Sequence, residues 1–203
     1  MEDITQELRD SAALKLEVAD TQGGVIQAML DAIWDRMQQG GKLLLCGNGG
    51  SAADAQHLAT ECMVRLQHDR CPLPALALTT DTSLLTAAGN DFGFDTIFVR
   101  QVEGLGNPGD VLLALSTSGN SRNVVLAVEE ARQRGLSTLG LLGKGGGALR
   151  DRVDIALVVP SSNTQRIQEV HLAVGHILCS ALERRVLDSP LTVQRAMSET
   201  EDV

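Results

Sequence analysis

Leu43-Leu44-Leu45-Cys46-Gly47-Asn48-Gly49-Gly50-Ser51-Ala52 passes from an unbroken apolar run into a glycine turn and then into residues suited to a helix start. An apolar run of this length ending in glycines fits a strand buried on both faces. The turn then presents backbone N–H groups at the strand's carboxyl end, where open α/β sheets bind ligands. The same pattern returns at Ala75 to Leu78, Val111 to Leu115, Thr138 to Leu142 and Ile155 to Val159. Helical stretches lie between them, at Ala52 to Leu66, Phe94 to Gly104 and Ser121 to Arg134. Apolar strands alternating with helices predict an α/β fold, a three-layer αβα sandwich around a five-stranded parallel sheet.

The ends of the chain read as additions to that sheet. Ile4, Leu8 and Leu14, then Ile26, Leu30, Ile33 and Met37, recur at helical spacing and predict two amphipathic helices closed by Gly40-Gly41. A long helix is expected from about Thr164 to Leu187, followed by Pro190 and a poorly ordered acidic tail. Without repeats or linkers, residues 1–203 read as one domain, with a core at about 25–187, a helical extension at 1–40 and a tail at 188–203. The two ends carry more apolar face than one such sheet can cover, which predicts a homo-oligomer.

Composition narrows the function. A net charge of -9 argues against a nucleic-acid surface, because phosphate backbones are held by excess Lys and Arg. One phosphate on a small ligand is still compatible, since backbone N–H groups can hold it at a helix N-terminus. Aromatic content of 2%, with no Tyr, removes stacking platforms for bases and suits a polyhydroxylated ligand. No apolar run approaches the roughly 18 residues of a membrane span. Cys46, Cys62, Cys71 and Cys179 form no C-x-x-C pair and Met-Glu-Asp-Ile is no signal peptide, so a cytoplasmic location is expected.

Two turns could cradle a phosphate. Gly47 to Ser51 is the first; as G-x-G-x-x-A it also matches a weak dinucleotide fingerprint, but the acid that would grip a ribose would be Asp81, much too late. A tight turn that needs glycine only for its dihedrals is the simpler alternative. Ser116-Thr117-Ser118-Gly119-Asn120-Ser121 is the second, with Ser121 also placed to cap the next helix.

Polar side chains on otherwise apolar helices form a second constellation. His57 and Glu61, at i and i+4, share one stripe; Gln168 and His176, at i and i+8, share a ridge on the last helix. Glu169 aligns with His176 better than Gln168 does and a carboxylate is a commoner metal ligand than an amide, so the residues alone favour Glu169. A single His on an apolar helix is more often a core residue, and His68 and His171 read as structural or exposed. Asn90-Asp91 could equally be a turn, and Ser116 to Ser118 a polar loop.

In order and spacing, Gly47 to Ser51 with His57 and Glu61, Asn90-Asp91-Phe92-Gly93-Phe94, Ser116 to Ser121, and Arg166-Ile167-Gln168-Glu169 with His176 resemble the phosphoheptose isomerase branch of the sugar isomerase (SIS) domain family. The resemblance implies a flavodoxin-like sandwich and a cytoplasmic homotetramer with active sites at subunit interfaces. The implied reaction takes sedoheptulose 7-phosphate to D-glycero-D-manno-heptose 7-phosphate, for the heptose of cell-surface glycans such as lipopolysaccharide. Substrate contacts are implied for Asn48, Gly49, Gly50, Ser51, Asn90, Asp91, Ser116, Thr117, Ser118 and Ser121. One zinc ion per subunit is implied on His57, Glu61, Gln168 and His176, with Glu61 and Gln168 also touching substrate and no nucleotide cofactor.

Ketose to aldose isomerisation moves a proton between C1 and C2 through an enediol, which requires a base and an acid; Glu61 and His176 are the pair expected to serve. Ala52 and Ala53, where the family can carry bulkier residues, and the tail beyond Leu187 depart from its pattern. A noncatalytic branch that regulates replication initiation lacks the counterparts of Glu61 and His176, whereas this chain keeps both. A sugar-phosphate binder or such a regulator is the alternative reading, and a dinucleotide enzyme a third.

Overall fold

The computed structural model describes residues 4–191. Five parallel strands, β1 (Leu43–Gly47), β2 (Ala75–Ala77), β3 (Val111–Ser116), β4 (Ser137–Leu142) and β5 (Ile155–Val158), form one sheet in the order β2-β1-β3-β4-β5. All of β1 and β3 is buried, which is why the strands read as continuous apolar runs instead of alternating ones.

Alternate residues face opposite layers. Leu43, Leu45, Leu113 and Leu115 pack against α1 (Ile4–Gln38), α2 (Gly50–Met63) and α6 (Thr164–Asp188). Leu44, Cys46, Leu112 and Ala114 pack against α3 (Thr82–Phe92), α4 (Val99–Leu105) and α5 (Arg122–Gln133). The result is the αβα sandwich expected from the sequence. Because β1 feeds α2 on one face while neighbouring β3 feeds α5 on the other, their carboxyl ends open into a crevice.

Three elements differ from the sequence expectation. The two N-terminal helices are one 35-residue helix, α1, which continues through Gly23-Gly24. Two internal glycines cost about 1 kcal/mol each relative to alanine. Val18 before them and Met29, Leu30, Ile33 and Met37 after them pack into one core with α6, and that burial offsets the loss. The segment before β3 contains a helix not anticipated, α3, which Asp81 caps by accepting from the Leu84 N–H at 2.9 Å. The single helix expected over Phe94 to Gly104 is a 3-10 turn, Phe94–Thr96, followed by α4. Residues 192–203 of the expected tail lie outside the described residues.

Candidate active site

The first turn is shaped by what glycine omits. A Cβ on Gly47 would sit 2.8 Å from Ser51 Cβ and 2.9 Å from the Leu115 carbonyl oxygen, so only glycine lets the turn close against β3. Gly49 has φ 56 and no side chain to cap α2, and among the described residues the Gly49 and Gly50 N–H groups meet no backbone acceptor. They remain available to an anion at the start of α2. Ser51 is buried in the first turn of that helix.

The second turn is braced from behind. Ser116 Oγ accepts from the Gly119 N–H at 3.1 Å, and Ser118 Oγ from Asn120 N–H at 3.2 Å. Asn120 ties the turn to the glycine-rich segment after β4: its Nδ2 donates to the Ser118 carbonyl and its Oδ1 accepts from the Ala148 N–H. Gly119, at φ 66, lies so close to Gly146 that a Cβ would overlap the carbonyl there. Ser121 stands at the N-cap of α5, yet its hydroxyl makes no capping bond. Thr117 and Ser118 are half-buried beside it.

On one face of the sheet, α2 and α6 bring together residues far apart in sequence. His57 Nε2 lies 2.9 Å from His176 Nε2, and Glu61 Oε1 lies 3.2 Å from the first and 3.6 Å from the second. All three line an open cleft of about 620 Å³ with Gln67, Ser180 and Arg184. Glu61 Oε2 is buried without a partner, an arrangement that costs free energy unless a proton or cation answers it. Two imidazole nitrogens and a carboxylate whose ligand atoms lie within 4.8 Å of one another form a set able to hold a metal ion.

Gln168 is placed differently from its helix partner. Its Nε2 donates to Asp54 Oδ1 at 3.3 Å and its amide lies across Gly50, where a Cβ would come 2.7 Å from Gln168 Cδ. Asn163 starts α6 by accepting from Gln165 and Arg166 N–H groups, which sets this face of the helix. Glu169 points elsewhere: it accepts from Ser11 of α1 at 2.6 Å and pairs with Arg166, which also pairs with Glu7. Those partners hold its carboxyl below the usual range, the Ser11 bond foremost. Glu169 is thus engaged with α1 and Arg166, while Gln168 lies over the first cradle, on Asp54 and Gly50, and neither hydrogen-bonds the His57, Glu61 and His176 cluster.

Asn90 and Asp91 are not brought to this cluster within one chain. They are exposed in the last turn of α3, on the opposite face of the sheet, where Asn90 Nδ2 donates to Asp91 Oδ1 at 2.8 Å. His171 is fully buried, and His68 is exposed with its ring 3.4 Å from Glu183.

Two residues escaped the sequence reading. Asp54 is buried and lies three positions before His57 and seven before Glu61, a stripe that could have flagged it. Burial pushes its carboxyl up, while Gln168, His57 and His176 pull it down. Asn123, buried at the start of α5, exchanges two hydrogen bonds with Asn48, and no sequence signal marks it.

A doubly wound sheet with polar turns at β1 and β3 and a His/Glu/His cluster between α2 and α6 places the chain in a known class: the SIS domain model matches residues 8–143. A phosphoheptose isomerase from Geobacter sulfurreducens is 52% identical over 186 residues, 92% of this chain and 98% of that one. Another from Roseiflexus sp. (strain RS-1) is 49% identical over 185 residues, covering 91% and 94% respectively. The solved structure of the Neisseria gonorrhoeae phosphoheptose isomerase superposes with a TM-score of 0.85 at 41% identity, over 89% of this chain and 97% of that one. The chain belongs to the phosphoheptose isomerases of the SIS domain family.

Proposed function

We propose that the chain converts sedoheptulose 7-phosphate to D-glycero-D-manno-heptose 7-phosphate, the heptose precursor of cell-surface glycans such as lipopolysaccharide. The observation that carries the reading is the contact of Glu61 with both His57 and His176, on the helix that starts at the first phosphate-type turn. Gln168 lies over Gly50 in the first cradle and bonds Asp54 of the same helix that carries His57 and Glu61.

In this reading the Ser116 to Ser121 turn, with the free Ser121 hydroxyl, binds the phosphate. Asn48, Gly49, Gly50 and Ser51 hold hydroxyls of the chain, so binding energy at the far end orients C1 and C2. The Glu61 carboxylate takes the proton from C1 while His176 delivers one to the C2 carbonyl oxygen, forming the enediol. Return of the C1 proton from Glu61 to C2, while His176 takes the O1 proton, yields the aldose and restores both groups. A zinc ion held by His57, Glu61, Gln168 and His176 would polarise the substrate oxygens. Glu61 Oε1 faces the imidazoles and Oε2 has no partner, so one carboxylate offers both a ligand-type and a base-type oxygen.

Exposed Phe92 and Phe94 next to Asn90-Asp91, and exposed Ile4, Leu8 and Leu16 on α1, favour assembly into a homotetramer in which Asn90 and Asp91 serve a site at a subunit interface. The free thiols of all four cysteines agree with a reducing cytoplasm, and no helix among the described residues is long and apolar enough to cross a membrane. The test is metal content by elemental analysis alongside turnover of sedoheptulose 7-phosphate, before and after chelation. The expected result is about one zinc per chain, with turnover lost on its removal and restored on its return. Full turnover without metal would refute the zinc assignment, and no heptose phosphate from loaded protein would leave a sugar-phosphate binder.

A further inference from the structure

Beyond Gly47 and Ser116 the sheet no longer joins the two ligand turns, because the chain after β1 departs to one face and the chain after β3 to the other. Among the described residues, the hydrogen bonds that connect residues 48–51 to 116–123 are the two exchanged by Asn48 and Asn123. Asn48 Nδ2 donates to Asn123 Oδ1 at 2.8 Å, and Asn123 Nδ2 donates to Asn48 Oδ1 at 2.9 Å. Asn123 is 2% exposed, and its Oδ1 also accepts from the Val124 N–H at 2.9 Å. Its amide is therefore fixed from both sides in the first turn of α5.

We propose that Asn123 is a positioning residue that clamps the two turns at a set separation and aims the Asn48 amide at the substrate. A primary amide has two N–H donors and an oxygen with two lone pairs. Asn48 commits one of each to Asn123, and this reciprocity fixes which edge is left over. One N–H and one lone pair then remain, pointing away from α5, matched to a hydroxyl that both accepts and donates. The clamp thus acts on a ligand that spans the crevice, with its phosphate on one turn and its hydroxylated chain on the other. An ion occupying a single turn does not sense the gap. The inference rests on the sugar-phosphate reading of the two turns.

The test is a double-mutant cycle of Asn48→Ala and Asn123→Ala in the metal-loaded enzyme, measuring KM and kcat for sedoheptulose 7-phosphate and the inhibition constant of inorganic phosphate. Leaving the half-buried Asn48 amide without its partner is expected to raise KM about ten-fold in Asn123→Ala. Inhibition by phosphate should stay within about two-fold, because the Ser116 to Ser121 turn keeps its own bracing. The double variant should be no worse than the worse single one, since both remove the same clamp. If alanine prevents folding, Asn123→Ser, which leaves an acceptor for the Val124 N–H, takes its place with the same expectation. Additive losses, an unchanged KM, or an equal loss of phosphate binding would overturn the clamp. Absence of turnover in the unaltered protein would instead overturn the reading of the reaction.

Discussion

His57 Nε2 and His176 Nε2 face each other at 2.9 Å from helices 119 positions apart in sequence. Two imidazole lone pairs cannot share that space; one proton or one cation must lie between them. The rings meet edge to face, at an interplanar angle of 77°, with Glu61 Oε1 closing the third side. Chemistry at this site therefore depends on how closely α2 and α6 approach.

Glu61→Gln retains the size of the side chain and removes its charge. Turnover should fall about 10²–10⁴-fold, the usual contribution of a general base, while the far-ultraviolet spectrum stays native. A folded Glu61→Gln enzyme with full kcat would exclude Glu61 as the base.

Gly175 sets the helix approach. A Cβ there would come 2.5 Å from Leu58 Cδ2, and Leu58 is buried with nowhere to retreat. Gly175→Ala should cost about 1–3 kcal/mol of stability through overpacking. It should also lower kcat/KM more than an equally destabilising change remote from α2, because His176 follows directly. Urea melts paired with kinetics check both parts.

Gly119→Ala tests the brace behind the second turn. The new methyl would overlap the Gly146 carbonyl at a positive φ that favours glycine, so a loss of at least about 2 kcal/mol is expected. Wild-type stability in the variant would show that the two glycine turns are not tightly interlocked.

His171 supplies a pH dependence. Its ring is fully buried, and burial lowers its pKa to about 4, against an opposing pull from the Leu142 backbone. An unfolded histidine takes up its proton near pH 6.5, so the unfolded state binds more protons between the two values. The stability contributed by neutral His171 is full above about pH 6.5 and is lost progressively as pH falls toward about 4. Thermal melts from pH 7.5 to 4.5 should show this decline, and His171→Leu should flatten it; an unchanged slope would contradict the assignment.

What could be read along the chain was local. Strands buried on both faces must be apolar throughout, so Leu43 to Cys46 and Val111 to Leu115 announced themselves, and the glycines after β1 marked a turn that only small residues can make. The helix Thr82–Phe92, which Asp81 caps, is an element that only the structure reveals. The unbroken α1 was not legible, since Gly23-Gly24 looks like a stop until the packing on both sides is known. By itself the sequence determined the order of strands and turns and the residue types able to bind phosphate and metal. Tertiary structure decided which of them meet: His57 with His176, Gln168 with Asp54 and Gly50, Glu169 with Ser11, and Asn48 with Asn123. Such pairings arise from helix packing between residues far apart in the chain, and helical spacing constrains only neighbours within a few turns.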